Sequence, residues 1–245
     1  MTELPRKALI AITSYNEPFY ADGAKTGLFY TEALHPYEAL VEKGFQVDLA
    51  SETGTYGMDE HSTEKQFLTD EDEKVYRDPN HPFNVLLNKN LREASRLNPK
   101  EYGLFFASAG HASLYDYPNA RGLQAIAEDI YERGGVVSAV CHGPAILPGI
   151  KKKSGDSIIS GKTVTGFTTE GEVQMNILEK IKNDKVPTIE EAAASVGAKY
   201  EAPPTPFADF ARTDGRVVTG ANPASARSTA DAAIAAFEKA AQHKE

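Results

Sequence analysis

The chain holds a single cysteine, Cys141, and the next two residues are His142 and Gly143, in the stretch AVCHGPA. A thiolate is a strong nucleophile, and an imidazole beside it can move its proton. The glycine leaves room for a close approach. The apolar run GVVSAVC (Gly135 to Cys141) reads as a buried strand with the cysteine at its C-terminal end. HGPA then begins a turn into a helix, the logic of a nucleophile elbow. The helix N-terminus there is expected to lower the thiol pKa. A lone cysteine after a strand is ordinarily inert packing; His142 and Gly143 turn the reading toward chemistry. SAGH (Ser108 to His111) closes another strand and offers backbone N–H groups at the same end of a sheet. Glu32, read by itself, is a helix glutamate whose usual place is the surface. Glu170 and Glu172, in FTTEGE, are two further acids close together.

Elements must bring these residues together. KALIAIT (Lys7 to Thr13), FQVDLAS (Phe45 to Ser51), GLFFASA (Gly103 to Ala109) and GVVSAVC read as buried strands, with KTVTGF (162–167) and RVVTG (Arg216 to Gly220) as two more. Leu123, Ile126, Ala127, Ile130 and Tyr131 recur at helical spacing before the stop Gly134-Gly135. Leu34, Tyr37, Leu40 and Val41 do the same before Gly44, with Pro36 expected to start or kink that helix. Thr188 and Glu191 form a capping-box pattern, and the alanine-rich segment Ala224 to Ala240 reads as a final helix. Strand–helix alternation with near-continuous apolar strands means an α/β fold with a mostly parallel sheet and helices on both faces. Residues 52–100 are polar and charged around the apolar island FNVLLNKNL, and are expected to form an inserted cap at the sheet edge within a single domain, 1–245.

Composition narrows the class. Apolar residues are 41% of 245 and the formal net charge is -9, so a sizeable core is available. Nucleic acid and anionic membranes are unsuited partners for that charge. One cysteine allows no internal disulfide and no CxxC metal site. The start MTELPRK carries no leader pattern, and no apolar run nears the roughly 20 residues of a membrane span. The expected location is a reducing, intracellular one. His35, His61, His81 and His243 show no HxxxH spacing, so no metal is expected. No phosphate loop is present and GHASLYDYPNARG is glycine-poor, so no cofactor is expected either.

AVCHGPA resembles the nucleophile turn of the ThiJ/PfpI superfamily, relatives of the class I glutamine amidotransferases. TSYNEPFYADGAKTGLFYTEALHPYEAL, DLASETGTYGMDEHS, FFASAGHASLYDYP, GKTVTGFTTEGE and TDGRVVTGANPASARSTA are similar to its fungal glutathione-independent glyoxalase III branch, also described as heat-shock-protein-31-like chaperones. The resemblance spans nearly the whole chain. It implies a flavodoxin-like three-layer sandwich and conversion of methylglyoxal, or glyoxal, without glutathione. It implies Cys141 as nucleophile, His142 beside it, Glu32 as an acid on the sulfur, and Glu172, from the pattern GFTxxGE, as the acid that orients His142 and favours its charged form. Gly110, with the His142 N–H, would stabilise an oxyanion, and His111 would line the pocket. The base is left open between His142 and Glu32. A homodimer in the cytoplasm, with the nucleus also open to it, follows from the same resemblance. The competing readings are a holdase for unfolded client proteins with Cys141 as redox sensor, a protein deglycase, and a cysteine hydrolase. The His-x-Glu pair that amidotransferases carry near the C-terminus is absent here.

Overall fold

In the computed structural model of the chain, residues 4–242 are described; His243 lies outside them. Strands β1 (Lys7–Ile12), β2 (Gln46–Ser51), β3 (Arg92–Glu93), β4 (Leu104–Ala107), β5 (Val136–Val140), β8 (Ala211–Asp214) and β9 (Val217–Gly220) form one sheet in the order β3-β2-β1-β4-β5-β9-β8. All neighbours are parallel except β8 and β9. Helices α1 (Thr31–Glu42) and α9 (Ala226–Gln242) cover one face, and α5 (Arg121–Glu132) covers the other.

Strand alternation explains why the central strands are almost entirely apolar. Leu9, Phe105 and Val137 point to the α5 side, where Leu123, Ile126 and Ile130 meet them. Ala8, Ile10, Leu104, Phe106 and Val136 point to the other side, against Leu34, Leu40, Ile234 and Phe237. A strand buried on both faces leaves little place for polar side chains, so its sequence reads as a near-continuous apolar run, with Ser138 of β5 the exception.

Residues 52–100 contain α2 (Asp70–Arg77), α3 (Pro82–Lys89) and β3, which pairs with β2 at the sheet edge. Phe83 of α3 is fully buried between Tyr30 and Tyr37, and the Tyr30 hydroxyl donates to Asn84 Oδ1 at 2.9 Å. The segment around Met58–Phe67 returns over the sheet's C-terminal end, where Leu28 and Met58 bridge.

Three expectations about elements need correction. Helix α1 begins at Thr31 and runs through Pro36, so the proline does not start it. KTVTGF does not join the main sheet: β6 (Thr163–Val164) is two residues long and pairs only with β7 (Lys199–Tyr200). HGPA enters a short 3-10 helix, Gly143–Gly149, broken up by Pro144 and Pro148. The polar edge strand β8 forms a hairpin with β9 across Gly215, at φ 63°. The small helices α4 (Ser113–Asp116), α6 (Thr169–Gln174), α7 (Leu178–Asn183) and α8 (Ile189–Ala194) complete the chain, and the Thr188–Glu191 capping box opens α8 with both of its bonds made.

Candidate active site

Because β1, β4 and β5 are parallel, the residues that follow them gather at one end of the sheet. The chain steps from β1 outward to β2 on one side and to β4 on the other, which opens a crevice at the strand ends. Cys141 is the first residue past β5. Its φ is 58°, a region a side-chain-bearing residue enters only when held there. It is held from both sides: its N–H donates to the Gly220 carbonyl at 2.9 Å, and its carbonyl accepts from Phe167 N–H at 2.8 Å. Gly143 permits the turn, since a Cβ there would lie 2.6 Å from the Ala107 carbonyl oxygen.

The sulfur faces His142 Nδ1 at 3.3 Å, and His142 Nε2 lies 2.6 Å from Glu172 Oε1. Glu172 comes from α6, whose N-cap Thr168 accepts from Gly171 N–H. Its second oxygen, Oε2, is 2.8 Å from His111 Nε2. A carboxylate only accepts, so both Nε2 atoms carry protons toward it. The neutral His142 ring therefore turns a lone pair at Nδ1 toward the thiol. Glu172 is buried, which alone would push its pKa up, yet His111 and His142 outweigh burial and hold it below the usual carboxylate range. Burial, then the charge of His111, bring His142 down to about 4 against the pull of Glu172. His142 is thus neutral near pH 7: Glu172 favours its charged form, as expected, but burial and His111, which shares the carboxylate, outweigh that pull.

Glu32, the second residue of α1, lies on the sulfur. It is fully buried, neither carboxyl oxygen makes a hydrogen bond of ordinary geometry, and burial pushes its pKa up to about 8. Burial also pushes the Cys141 thiol up, and the negative charge of Glu32 adds to this; the His142 backbone N–H opposes both. The expected lowering by a helix N-terminus is overturned. The thiol is 4% exposed and the helix that follows it is a broken 3-10 turn, so desolvation wins.

Gly110, His111, Glu32, Cys141 and His142 line one pocket of about 580 Å³, with Glu172 behind the histidines. Gly110 sits at φ 142°, and a Cβ there would fall 1.9 Å from the Gly27 carbonyl oxygen. Glu170 is exposed and accepts from Gln174, away from the cluster. His35 pairs with Asp72 and His81 caps α3, so neither reaches the pocket. Among the described residues His111, His142 and Glu172 bring ligand-type atoms within 4.8 Å of one another, a donor set that suits a divalent cation.

Sequence reading missed a supporting layer. Asp59 is fully buried and accepts from Tyr20 Oη at 2.7 Å, Thr26 Oγ1 at 3.0 Å and the His61 and Ser62 backbone N–H groups. Thr26 in turn accepts from Ala112 N–H at 3.1 Å, which fixes the loop that carries His111. Tyr20 and His61 line the pocket, their rings 4.2 Å apart. The aspartate sits eight residues past β2 with no periodicity to mark it, so nothing in the sequence distinguishes it from a surface acid.

The DJ-1/PfpI family profile matches residues 26–236. Glyoxalase 3 of Candida albicans is 52% identical over 233 residues, 95% of this chain and 98% of that protein. The glutathione-independent glyoxalase HSP31 of Saccharomyces cerevisiae is 50% identical over 235 residues, covering 96% and 99%. The crystal structure of glyoxalase III from Candida albicans superposes with a TM-score of 0.93 at 51% identity, over 95% of this chain and 98% of that one. A strand-end cysteine on a strained turn, in a sheet of this order and with likeness over nearly its full length, leaves one assignment: the chain belongs to the DJ-1/PfpI family.

Proposed function

We propose that the chain is a glutathione-independent glyoxalase III that converts methylglyoxal and water to D-lactate. The observation that carries this reading is the pairing of two proton carriers with one sulfur: neutral His142 with its Nδ1 3.3 Å away, and Glu32 with unpartnered, buried oxygens. A buried carboxyl without a partner is costly unless an incoming group satisfies it.

The steps balance without any external oxidant. The thiol proton passes to His142 Nδ1 as sulfur adds to the aldehyde carbon C1, and Glu32 gives its proton to the new alkoxide. The Gly110 and His142 N–H groups stabilise that oxygen as charge develops. The Glu32 carboxylate takes the C1 proton while His142 protonates the C2 oxygen, which makes an enediol. Glu32 then protonates C2 and His142 takes the proton of the C1 hydroxyl, leaving the lactyl thioester. Glu32 activates a water that cleaves it, and His142 returns a proton to the sulfur. C1 is oxidised as C2 is reduced. A carboxyl whose pKa is about 8 suits this exchange, because a proton carrier poised near neutrality contributes about 10²- to 10⁴-fold.

The reading takes the chain as one domain capped by residues 52–100, a homodimer, and cytoplasmic, where a reducing medium keeps a lone thiol free. Among the described residues no helix is long and apolar enough to cross a membrane. The test is a glutathione-free assay of the purified protein, following loss of methylglyoxal and appearance of D-lactate. Equimolar D-lactate is expected; dicarbonyl loss without lactate contradicts the reading.

A further inference from the structure

The pocket is far larger than a three-carbon substrate needs. It encloses about 580 Å³. Scaled from the roughly 30 Å³ that one water occupies in the liquid, a five-heavy-atom dicarbonyl fills on the order of 100 Å³. The surplus is not a polar vestibule. Phe167 stacks 4.7 Å from the His142 ring, and Phe207 lies 6.1 Å further out. Phe29 and Phe67 line the same pocket and meet edge-on at 5.3 Å. Phe67, Met175 and Phe207 line this pocket and are 39%, 39% and 49% exposed, which places three of the chain's few exposed large apolar side chains at one mouth.

Leaving such side chains partly in water forgoes stabilisation that full burial would contribute. They come from three separate segments: the 52–100 insert, the turn after α6, and the loop before β8. Chance exposure on one element does not account for their convergence on the catalytic histidine's pocket. A methyl group on C2 leaves most of this volume and its aromatic lining unfilled, whereas a ring on C2 has the size and the apolar surface to occupy it.

We infer that the site takes α-oxoaldehydes with a neutral aromatic or bulky apolar substituent on the ketone carbon, with Phe167 and Phe207 along one side of that substituent and Phe67 and Met175 along the other. The inference rests on the glyoxalase reading and extends it to a substrate class. Asp22 and Glu64 also line the pocket, so an anionic substituent is disfavoured and the carboxylate product is pushed outward. For phenylglyoxal the balance is that of methylglyoxal: water adds, the aldehyde carbon becomes the carboxyl, the ketone carbon becomes the carbinol, and mandelate leaves.

The test compares initial-rate kcat/KM for phenylglyoxal and methylglyoxal, with mandelate and lactate quantified by chiral chromatography. No arginine is among the described lining residues, so phenylglyoxal's reaction with guanidinium groups lies outside the site. Phenylglyoxal is expected to equal or exceed methylglyoxal in kcat/KM. Phe207→Ala and Phe67→Ala are each expected to lower the phenylglyoxal-to-methylglyoxal ratio about five- to ten-fold, the order of one lost aromatic contact. Phe207→Leu should restore part of it. If methylglyoxal is converted while phenylglyoxal is at least ten-fold poorer, or if neither alanine substitution moves the ratio, this inference fails and the glyoxalase reading stands. Turnover of neither dicarbonyl removes both.

Discussion

Glu172 is the residue on which two histidines depend. An amide in its place offers one oxygen and one NH₂, so His142 and His111 cannot both donate to it. One ring must change tautomer, and the His142 lone pair at Nδ1 is then no longer guaranteed. Glu172→Gln is expected to lower kcat by roughly a hundred-fold, within the range of general acid–base contributions. Glu170→Gln, on the same short helix but exposed, is expected to leave it within two-fold. Parallel steady-state kinetics decide this, and equal activity of the two variants would contradict the pairing. Glu32 carries a pH signature. Burial raises its pKa from 4.5 to about 8, so the folded state binds the proton more tightly than the unfolded chain. Stability from this group is fully present below pH 4.5 and is lost as the pH rises through about 8. Glu32→Gln does not titrate and is expected to gain on the wild type across that window, by up to a few kcal/mol above pH 8. Its kcat is expected to collapse at every pH, while Cys141 alkylates faster than in wild type above pH 8, where the neighbouring negative charge is gone. Thermal melts and iodoacetamide rates against pH check both, and a pH-independent melting difference would mean that Glu32 is ionised throughout. These residues were legible to different degrees. Cys141 and His142 stand out by type and adjacency. Glu32 and Glu172 come into view only through family resemblance, because a buried acid and a surface acid look alike in sequence. Asp59 and Tyr20 gave no signal at all.

At the scale of elements, the site depends on turns that only particular backbones permit. Gly110 combines φ 142° with a Cβ position 1.9 Å from the Gly27 carbonyl oxygen, so any side chain must displace one of two loops at the pocket. Gly110→Ala is expected to destabilise the protein by about 2–4 kcal/mol and to lower activity of the surviving folded fraction. Denaturant melts with kinetics at low temperature test this; wild-type stability would show that the loops yield freely. The central strands were readable because burial on both faces leaves a near-continuous apolar run, as in Ala8–Ile12 and in Val136–Val140, which only Ser138 interrupts. The edge strand β8, ARTD, was not readable by that signal, since an edge carries polar residues on both faces. The dipeptide Asp214-Gly215 was the available cue for its hairpin. Pro36 does not mark the start of α1, because the hydrogen bond and the clash that a proline costs inside a helix are outweighed here by tertiary burial of Leu34, Tyr37 and Leu40.

At the scale of the whole molecule, residues 52–100 join the sheet edge to the pocket mouth. Asp59 is the fastener: it collects Tyr20, Thr26 and two backbone N–H groups, and through Thr26 it steadies the His111 loop. Asp59→Ala leaves these donors unpaired and is expected to raise KM several-fold and to speed amide exchange over residues 58–67. Unchanged exchange there would show the segment to be held by other contacts. All of these arrangements serve one sulfur atom in a closed, strained turn. The most direct test of the account is D-lactate formation from methylglyoxal by wild type and Cys141→Ser, without glutathione and at equal folded concentration. A hydroxyl at this position, beside a neutral imidazole, is a far weaker nucleophile than the thiol. The account expects less than about one-hundredth of wild-type kcat/KM with an unchanged melting temperature; a serine variant that keeps more than about a tenth would contradict covalent attack by Cys141.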